Sequence, residues 1–468
     1  RAPEVEILKR HSDHRTLVVT GLAVVLLALV GCSTRPQTSE TLNMSGNHTA
    51  GDLNMVTADT ASSGYKYQDP DLSPDGTRVA FTLDWPALPP SGILPDVPPL
   101  IRQMAIIDLE PRFGAQPSLA SQGASLVDLN DLQFRSGNTQ ERMRPNVDWQ
   151  KGTPRWLDDD NLVFWMQTSR GARLFRTPIG PGFQNGDATD AKLIYREPDD
   201  DLELNWMFWE HLSPRVSPNG RWIAFSRYGH TDADSLHQST RQSIWVCAVP
   251  AYGSLTSIVF PVTTEASLCD GPAWSPDSRK LVFYASLDLS GAHEGYYTQE
   301  IFTVDFDTTG YAENGAVELN RNLERLTFSP PAEGSSFVVR NQEPAYSADG
   351  TIIAFVSDRR VPTITLTERN IWYIPADGSL DPRIAFFSRS DDKAPLFTGG
   401  PGREMLLTSS LGFPTEILDQ IWQETYDQYA QDHPDMNVLQ VRAYADDVRE
   451  ELAFFENVMS HVYLLSNW

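Results

Sequence analysis

The chain is short of cysteine and of basic residues, and it lacks the signatures of several enzyme classes. Only 3 of its 468 residues are cysteines, and 37 Lys and Arg stand against 62 Asp and Glu, a formal net charge of −25. A surface this acidic repels phosphate backbones, so no nucleic-acid partner is expected. The sequence has no G-x-S-x-G motif, P-loop or C-x-x-C pair, which leaves common hydrolase, nucleotide-binding and dithiol chemistries without support.

Residues 1–31 have the composition of a signal peptide. Basic Lys9 and Arg10 precede the apolar run Leu17–Gly31, which is too short to span a bilayer comfortably. The small residues directly before Cys32 resemble the lipobox of bacterial lipoproteins, in which the cysteine is acylated and the chain is cut before it. The resemblance implies that Cys32 is the lipidation site. A plain signal anchor with an unrelated cysteine is the alternative.

Residues 32–63 are poor in large apolar side chains and predict a flexible tether. A lipid, a tether and a globular body describe an exported protein held at a membrane. The predicted location is therefore the bacterial cell envelope, with the lipid anchor in the outer membrane and the body facing the periplasm. In such a compartment Cys247 and Cys269 either form a disulfide or are buried as small apolar residues.

A turn motif recurs through the middle of the chain, each time before a short apolar strand. Proline presets the first turn position, Asp or Asn bonds its own backbone, and glycine accepts a positive φ. Weaker copies lie near residues 157 and 398. The four clear copies are Ser73-Pro74-Asp75-Gly76, Ser217-Pro218-Asn219-Gly220, Ser275-Pro276-Asp277-Ser278 and Ser347-Ala348-Asp349-Gly350.

Each copy predicts a β-hairpin, and two further strands usually follow it. Four antiparallel strands repeated about six times predict an all-β fold, a six-bladed β-propeller over residues 64–412. Phe225, Phe283 and Phe355 hold one repeat position on the second strand and are expected to fill the cores between blades. The sixth blade has no obvious third and fourth strands, and segment 53–59 is a candidate for one of them. A β-sandwich with chance hairpins is the alternative.

The string GPAWSPDSRKLVF at residues 271–283 and its sibling copies resemble the WD40-like repeat of the TolB propeller family. The resemblance covers about residues 65–410. It implies a six-bladed, periplasmic propeller devoted to protein contacts. The chain departs from TolB itself because it has no α/β domain before the propeller and because it carries a lipobox. It therefore resembles a TolB-like lipoprotein, and the partners of TolB are not carried over.

Residues 413–468 change to a helical period and predict a C-terminal helical extension. The segment His433-Pro434-Asp435 breaks the pattern. The second helix is expected to carry a near-heptad apolar stripe from Val441 through Met459 and Val462. The two helices are expected to form a hairpin that packs either on the propeller or on a partner.

In a four-stranded blade, the connections between strands two and three and those that enter strand one lie on the same side of the disc. We call this side the loop face, and the side with the Ser-Pro-Asp-Gly turns the turn face. Aromatic side chains and arginines suit recognition of a peptide or a glycan. Plugging of insertion loops into the body by Trp206 and Trp209 is the alternative. The candidate binding residues on the loop face are Trp85, Trp206, Trp209, His211, Arg227, Tyr228, His230 and Arg359.

Some TolB-like propellers are metal-dependent lyases of pectate fragments that have a histidine cluster at the pore. Here His211, His230, His237 and His293 fall on the loop face, but their spacing matches no metal motif. No metal, other cofactor or catalytic residue is predicted. The favoured function is non-enzymatic: a lipid-anchored propeller that binds another envelope protein or a peptidoglycan-associated component. The alternative is a lyase or hydrolase that acts on saccharides at the pore.

Overall fold

The structure of the protein is a computed structural model. It describes residues 52–55, 66–86, 100–108, 125–126, 133–136, 139–142, 151–168, 171–179, 191–197, 207–231, 241–290, 298–309, 317–329, 339–359, 369–386, 392–398, 404–409, 415–434, 436–446 and 461–466. The predicted signal peptide and the predicted lipidation site Cys32 lie outside these residues.

Six four-stranded antiparallel sheets form the blades, which confirms the predicted six-bladed propeller. The first strand is β1 (Asp52–Met55). Blade 1 consists of β2 (Lys66–Leu72), β3 (Arg78–Pro86), β4 (Leu100–Asp108) and β5 (Ser125–Leu126). A separate two-stranded hairpin follows it, made of β6 (Gln133–Ser136) and β7 (Thr139–Arg142). Blade 2 consists of β8 (Lys151–Asp158), β9 (Asn161–Thr168), β10 (Gly171–Pro178) and β11 (Lys192–Leu193).

The later blades repeat this order. Blade 3 consists of β12 (Met207–Val216), β13 (Trp222–Thr231), β14 (Arg241–Ala248) and β15 (Val259–Pro261). Blade 4 consists of β16 (Cys269–Trp274), β17 (Lys280–Ser286), β18 (Gln299–Asp305) and β19 (Glu324–Arg325), with a short 3₁₀ helix at Leu287–Ser290. Blade 5 consists of β20 (Asn341–Tyr346), β21 (Ile352–Ser357), β22 (Asn370–Pro375) and β23 (Arg383–Phe386).

Blade 6 joins the two ends of the described chain. It contains β24 (Asp392–Phe397), β25 (Met405–Ser409) and β26 (His461–Ser466), with β1 as its outer strand. Leu53 lies opposite Leu465 in the antiparallel β1–β26 pair. The prediction that segment 53–59 supplies a strand is thus confirmed for its first residues. Because an N-terminal strand completes the last sheet, backbone hydrogen bonds hold the ring closed.

Two boundaries predicted from the sequence are wrong. Segment 32–63 is not tether throughout, because 52–55 pair with β26. Segment 413–468 is not helical throughout: Val462 is a buried residue of β26 and contributes to the core shared by blades 6 and 1. Val462 continued the heptad spacing by coincidence. The helices are therefore an insertion between the second and third strands of blade 6.

The inserted helices form the predicted hairpin. Helix α1 spans Thr415–Asp432, and residues 438–446 form the second helix. Tyr429 and Tyr444 stack with ring centroids 3.9 Å apart, and the indole N–H of Trp422 donates to Asp446 at 2.8 Å. No helix within the described ranges is both long and apolar enough to cross a membrane.

One position on the second strand of every blade fills the core against the preceding blade. Phe283, for example, stacks on Phe302 and lies in a cluster with Ala224 and Phe260 of blade 3. The prediction for Phe225, Phe283 and Phe355 is confirmed. The six residues at this position, all with no exposed surface, are Phe81, Phe164, Phe225, Phe283, Phe355 and Leu407.

The turn motif fixes each hairpin through its own side chains. In blade 4 the Ser275 hydroxyl donates to Asp277 at 2.7 Å and accepts from the Lys280 backbone N–H at 2.9 Å, while Asp277 accepts from the Arg279 N–H at 3.1 Å. The same bonds recur at Ser73, Ser217 and Ser347. The polar groups of these turns are satisfied locally, which gives the turn face a structural role.

Each first strand also contains a bulge that the sequence analysis missed. A residue with positive φ interrupts the ladder, and a proline follows it each time. Proline suits such a position because a bulge leaves one N–H outside the ladder. The bulge residues are Asp69, Thr153, Ser213, Gly271, Glu343 and Ala394.

Candidate functional site

Most of the candidate residues lie on strands of blade 3, whereas the sequence analysis predicted that they lie in loops. Its first two strands, β12 and β13, are ten residues long and continue toward the loop face. Along them His211 lies opposite Arg227, and Trp209 lies opposite Gly229. Tyr228 is half-buried on the neighbouring position of β13. A single long hairpin therefore brings these residues into one region.

For three other candidates the structure gives at most a position on a strand. Trp85 lies near the end of β3 and His230 near the end of β13, opposite Phe208. Both positions are at the loop-face ends of second strands. Trp206 lies outside the described residues, as do His237 and His293. In the described part of the chain, no group of three His, Cys, Asp or Glu side chains is placed to hold a metal ion.

Glu197, which the sequence analysis did not single out, is the centre of the blade 2–blade 3 junction. It follows the outer strand of blade 2 and accepts two hydrogen bonds from Arg227, from Nε at 2.7 Å and from Nη2 at 2.9 Å. His211 Nε2 lies 2.7 Å from the same carboxylate, and the Tyr195 hydroxyl donates to it at 3.2 Å. The Arg227 guanidinium also stacks 4.4 Å above the Trp245 ring.

These contacts fix the charges of the cluster. Burial alone would raise the pKa of Glu197, but the hydrogen bonds from His211 and Arg227 outweigh it and lower the pKa to about 2. Burial lowers the pKa of His211 to about 4, so its ring is neutral at pH 7. Nε2 then carries the proton, because an ionised Glu197 can only accept. His211 is completely buried, so it supports Glu197 from within.

Arg359 occupies a second junction, between blades 4 and 5. Its Nη2 donates to the Ser329 hydroxyl at 2.6 Å, and its Nε donates to Asn341 Oδ1 at 3.2 Å. Asn341 in turn donates to the buried carboxylate of Glu300 at 2.9 Å. No described hydrogen bond or ion pair joins Arg359 to the group in blade 3. Apart from Trp85 of blade 1, the candidate residues that the structure describes therefore form two regions on the loop face.

Charged side chains from opposite blades approach one another around the propeller axis. Arg155 of blade 2 donates to the carbonyl oxygens of Asp69 and Pro70 in blade 1 at 2.9 and 3.3 Å. Burial lowers the pKa of Arg155, and the nearby Asp71, Asp69 and Glu343 oppose that shift. Glu343 belongs to blade 5, three blades away, so only the central channel can bring it near Arg155. Arg155 and Glu343 are thus placed to interact across the central channel.

Cys247 and Cys269 do not form a disulfide with each other, and both are completely buried. The sequence left open either a disulfide or burial as small apolar residues, and the structure shows burial. Cys269 lies 3.6 Å from the Thr263 hydroxyl.

Comparison with known proteins gives similarity in fold. No family model matches the chain, and a comparison with curated proteins found no match. A putative TolB from Agrobacterium tumefaciens is 19% identical with a TM-score of 0.34, over 58% of this chain and 72% of that one. TolB from Acinetobacter baumannii is 16% identical with a TM-score of 0.36, over 66% of this chain and 56% of that one. The β-propeller domain of the Trilobed protease from Pyrococcus furiosus is 10% identical with a TM-score of 0.37, over 74% of this chain and 77% of that one. The solved structures to which this chain is similar are TolB and other β-propeller proteins.

Proposed function

We propose that the chain is a lipid-anchored, protein-binding β-propeller of the bacterial cell envelope and that its partner docks on the loop face. The observation that carries the proposal is topological. The open ends of the long strands β12 and β13, the Arg359 junction and the inserted helical hairpin all lie on this face. Aromatic residues and arginines at such positions are the residue types that dominate binding energy in protein interfaces.

The turn face is the competing surface. Its tight turns are saturated by their own hydrogen bonds, but the connections between third and fourth strands on that side expose apolar side chains. They are Tyr252, Leu255, Ile258, Leu319 and Leu380. On the loop face, Phe328 is 64% exposed and Leu439 of the helical hairpin 77% exposed. We favour the loop face because it combines exposed apolar groups with arginines that are already held in place.

The proposed anchor agrees with the position of β1. Cys32 lies twenty residues before the start of β1, the outer strand of blade 6. A segment of that length and polarity is long enough to hold the propeller clear of a membrane surface. Several acyl chains on one cysteine would hold the protein firmly, whereas a single chain binds only marginally.

Replacement of Cys32 tests the anchor. We expect Cys32→Ser to leave an uncleaved precursor or to release the protein into the aqueous fraction, because the acylated thiol is lost. Membrane fractionation and gel mobility are the measurements, with Cys247→Ser as the matched control for loss of a thiol. Unchanged fractionation and mobility of Cys32→Ser would contradict the lipoprotein assignment and would leave the docking proposal standing.

A further inference from the structure

Two arginines occupy corresponding junctions of the propeller, and only one of them has a described hydrogen bond to a carboxylate. Leu193 and Arg325 are paired with equivalent residues of the third strands in blades 2 and 4. Four residues further along, the first junction has Glu197 and the second has Ser329. Arg227 binds Glu197 through two hydrogen bonds. At the second junction a neutral hydroxyl stands in place of that carboxylate.

The hydrogen bonds from the Arg359 side chain to the described residues go to neutral acceptors. Ser329 Oγ and Asn341 Oδ1 accept from Nη2 and Nε, and no hydrogen bond to the described residues engages Nη1. The carboxylates whose charges act on Arg359 are Glu300, Asp381 and Asp358, and none of them accepts a described hydrogen bond from it. Glu300 is already saturated: it accepts from Arg325, Thr327, Ser329 and Asn341. The guanidinium is therefore oriented by its neighbours and keeps donor capacity for a carboxylate.

The surroundings of Arg359 also offer apolar and donor groups. The ring of Trp372 lies 6.0 Å from Arg359 Cζ, and its buried indole N–H has no acceptor among the residues that the structure describes. At the corresponding position of blade 3, the Trp245 N–H donates to Ser243 at 2.9 Å. Phe328, directly before Ser329, is 64% exposed on the loop face. A carboxylate next to an apolar group matches this combination.

We infer that Arg359 binds a carboxylate of a peptide segment of the partner, with an apolar neighbour of that carboxylate packed on Phe328. The inference rests on the proposed function, because it names the chemistry that the loop face recognises. A fixed arginine and a carboxylate form paired, charge-assisted hydrogen bonds, which give both orientation and affinity. Arg227 cannot serve in the same way, since Glu197 already takes both of its paired donors.

The experiment uses the full chain, immobilised, and two mixtures of random octapeptides, one with free C-terminal carboxylates and one with C-terminal amides. Retained peptides are sequenced by mass spectrometry. We expect enrichment of Asp or Glu side chains, or of free C-termini, among the retained peptides. Comparison of the two mixtures distinguishes these sources of carboxylate. Arg359→Gln should reduce the enrichment by about tenfold or more, since a charge-assisted pair is lost.

Two further variants make the outcome decisive. Arg359→Lys keeps the charge but removes the planar fork, so it should retain only part of the enrichment. Arg221→Gln, an exposed arginine of the turn face, should retain all of it. Equal enrichment by Arg359→Gln and the wild-type protein would overturn the inference. The inference would also be overturned if the retained peptides showed no preference for carboxylates and Trp209→Ala abolished their retention. In that case the proposed function would stand. If the wild-type protein retains no peptide, the inference fails, whereas docking of a folded partner on the loop face is not tested by that result.

Discussion

Glu197 and Arg227 form a bidentate ion pair that joins blade 2 to blade 3, with N–O distances of 2.7 and 2.9 Å. The carboxylate side chain is only 1% exposed and the guanidinium 13% exposed. A pair this enclosed cannot lose one member without leaving the other buried and uncompensated. The contact therefore ties the stability of two blades to one side chain.

Glu197→Gln should lower the free energy of unfolding by about 3 kcal/mol at pH 7, because the Arg227 charge loses its partner. Urea denaturation measures the effect. Glu265→Gln is the matched control: Glu265 holds the equivalent position after the outer strand of blade 3 but is exposed. Its replacement should change stability by less than about 0.5 kcal/mol. Equal effects of the two substitutions would show that the ion pair contributes nothing.

The same pair predicts a pH dependence. The folded pKa of Glu197, about 2, lies below the ordinary value of 4.5. Stabilisation from a lowered carboxyl pKa is complete above the unfolded pKa and is lost as the pH falls through the folded one. The stability difference between wild type and Glu197→Gln should therefore shrink between pH 4.5 and pH 2. A difference that stays constant over that interval would mean that the carboxylate charge is not its source.

Phe283→Ala should destabilise the protein by about 3–5 kcal/mol, because it opens a cavity in the core between blades 3 and 4. The side chain has no exposed surface. Lys280→Ala, on the same strand with a half-exposed side chain, is the control. Its ion pair with Asp305 is a surface pair and should contribute about 1 kcal/mol or less. Thermal and chemical unfolding of both variants measure the contrast, and a small shift for Phe283→Ala would refute the repeat alignment.

Ring closure predicts opposite outcomes for one substitution at two C-terminal leucines. Leu465 is 1% exposed in β26, between β25 and β1, whereas Leu439 is 77% exposed on the helical hairpin. Leu465→Asp should prevent stable folding or cost more than about 4 kcal/mol, because it buries an unpaired charge. Leu439→Asp should leave stability nearly unchanged. Circular dichroism during denaturation distinguishes them, and a tolerated Leu465→Asp would contradict the closure by β26.

The sequence was sufficient to predict the blades because the turn motif is local. Ser275, Pro276 and Asp277 fold one hairpin by bonds within six residues, and each copy repeats the same chemistry. The prolines after each bulge, such as Pro214 and Pro272, were also a local signal that would have revealed the bulges. The C-terminal strand was missed because Val462 fits a helical stripe as well as a strand.

The site was harder to predict because its contacts are distant in the chain. Glu197 lies 14 residues before His211 and 30 before Arg227. Only the packing of blade 2 on blade 3 brings them together. Residue type alone selected both Arg227 and Arg359 as candidates. Nothing in either local sequence indicates that the charge of Arg227 is neutralised by a carboxylate of the same chain. That difference follows from a glutamate and a serine at equivalent positions after two outer strands.

Photo-crosslinking in the cells that make the protein tests most directly whether the partner docks on the loop face. The crosslinking amino acid p-benzoylphenylalanine replaces Phe328 on the loop face or, in a separate strain, Tyr252 on the turn face; both side chains are aromatic and exposed. The account predicts one discrete adduct with an envelope protein from position 328 and none from position 252. An adduct from position 252 alone would contradict it and place the partner on the turn face.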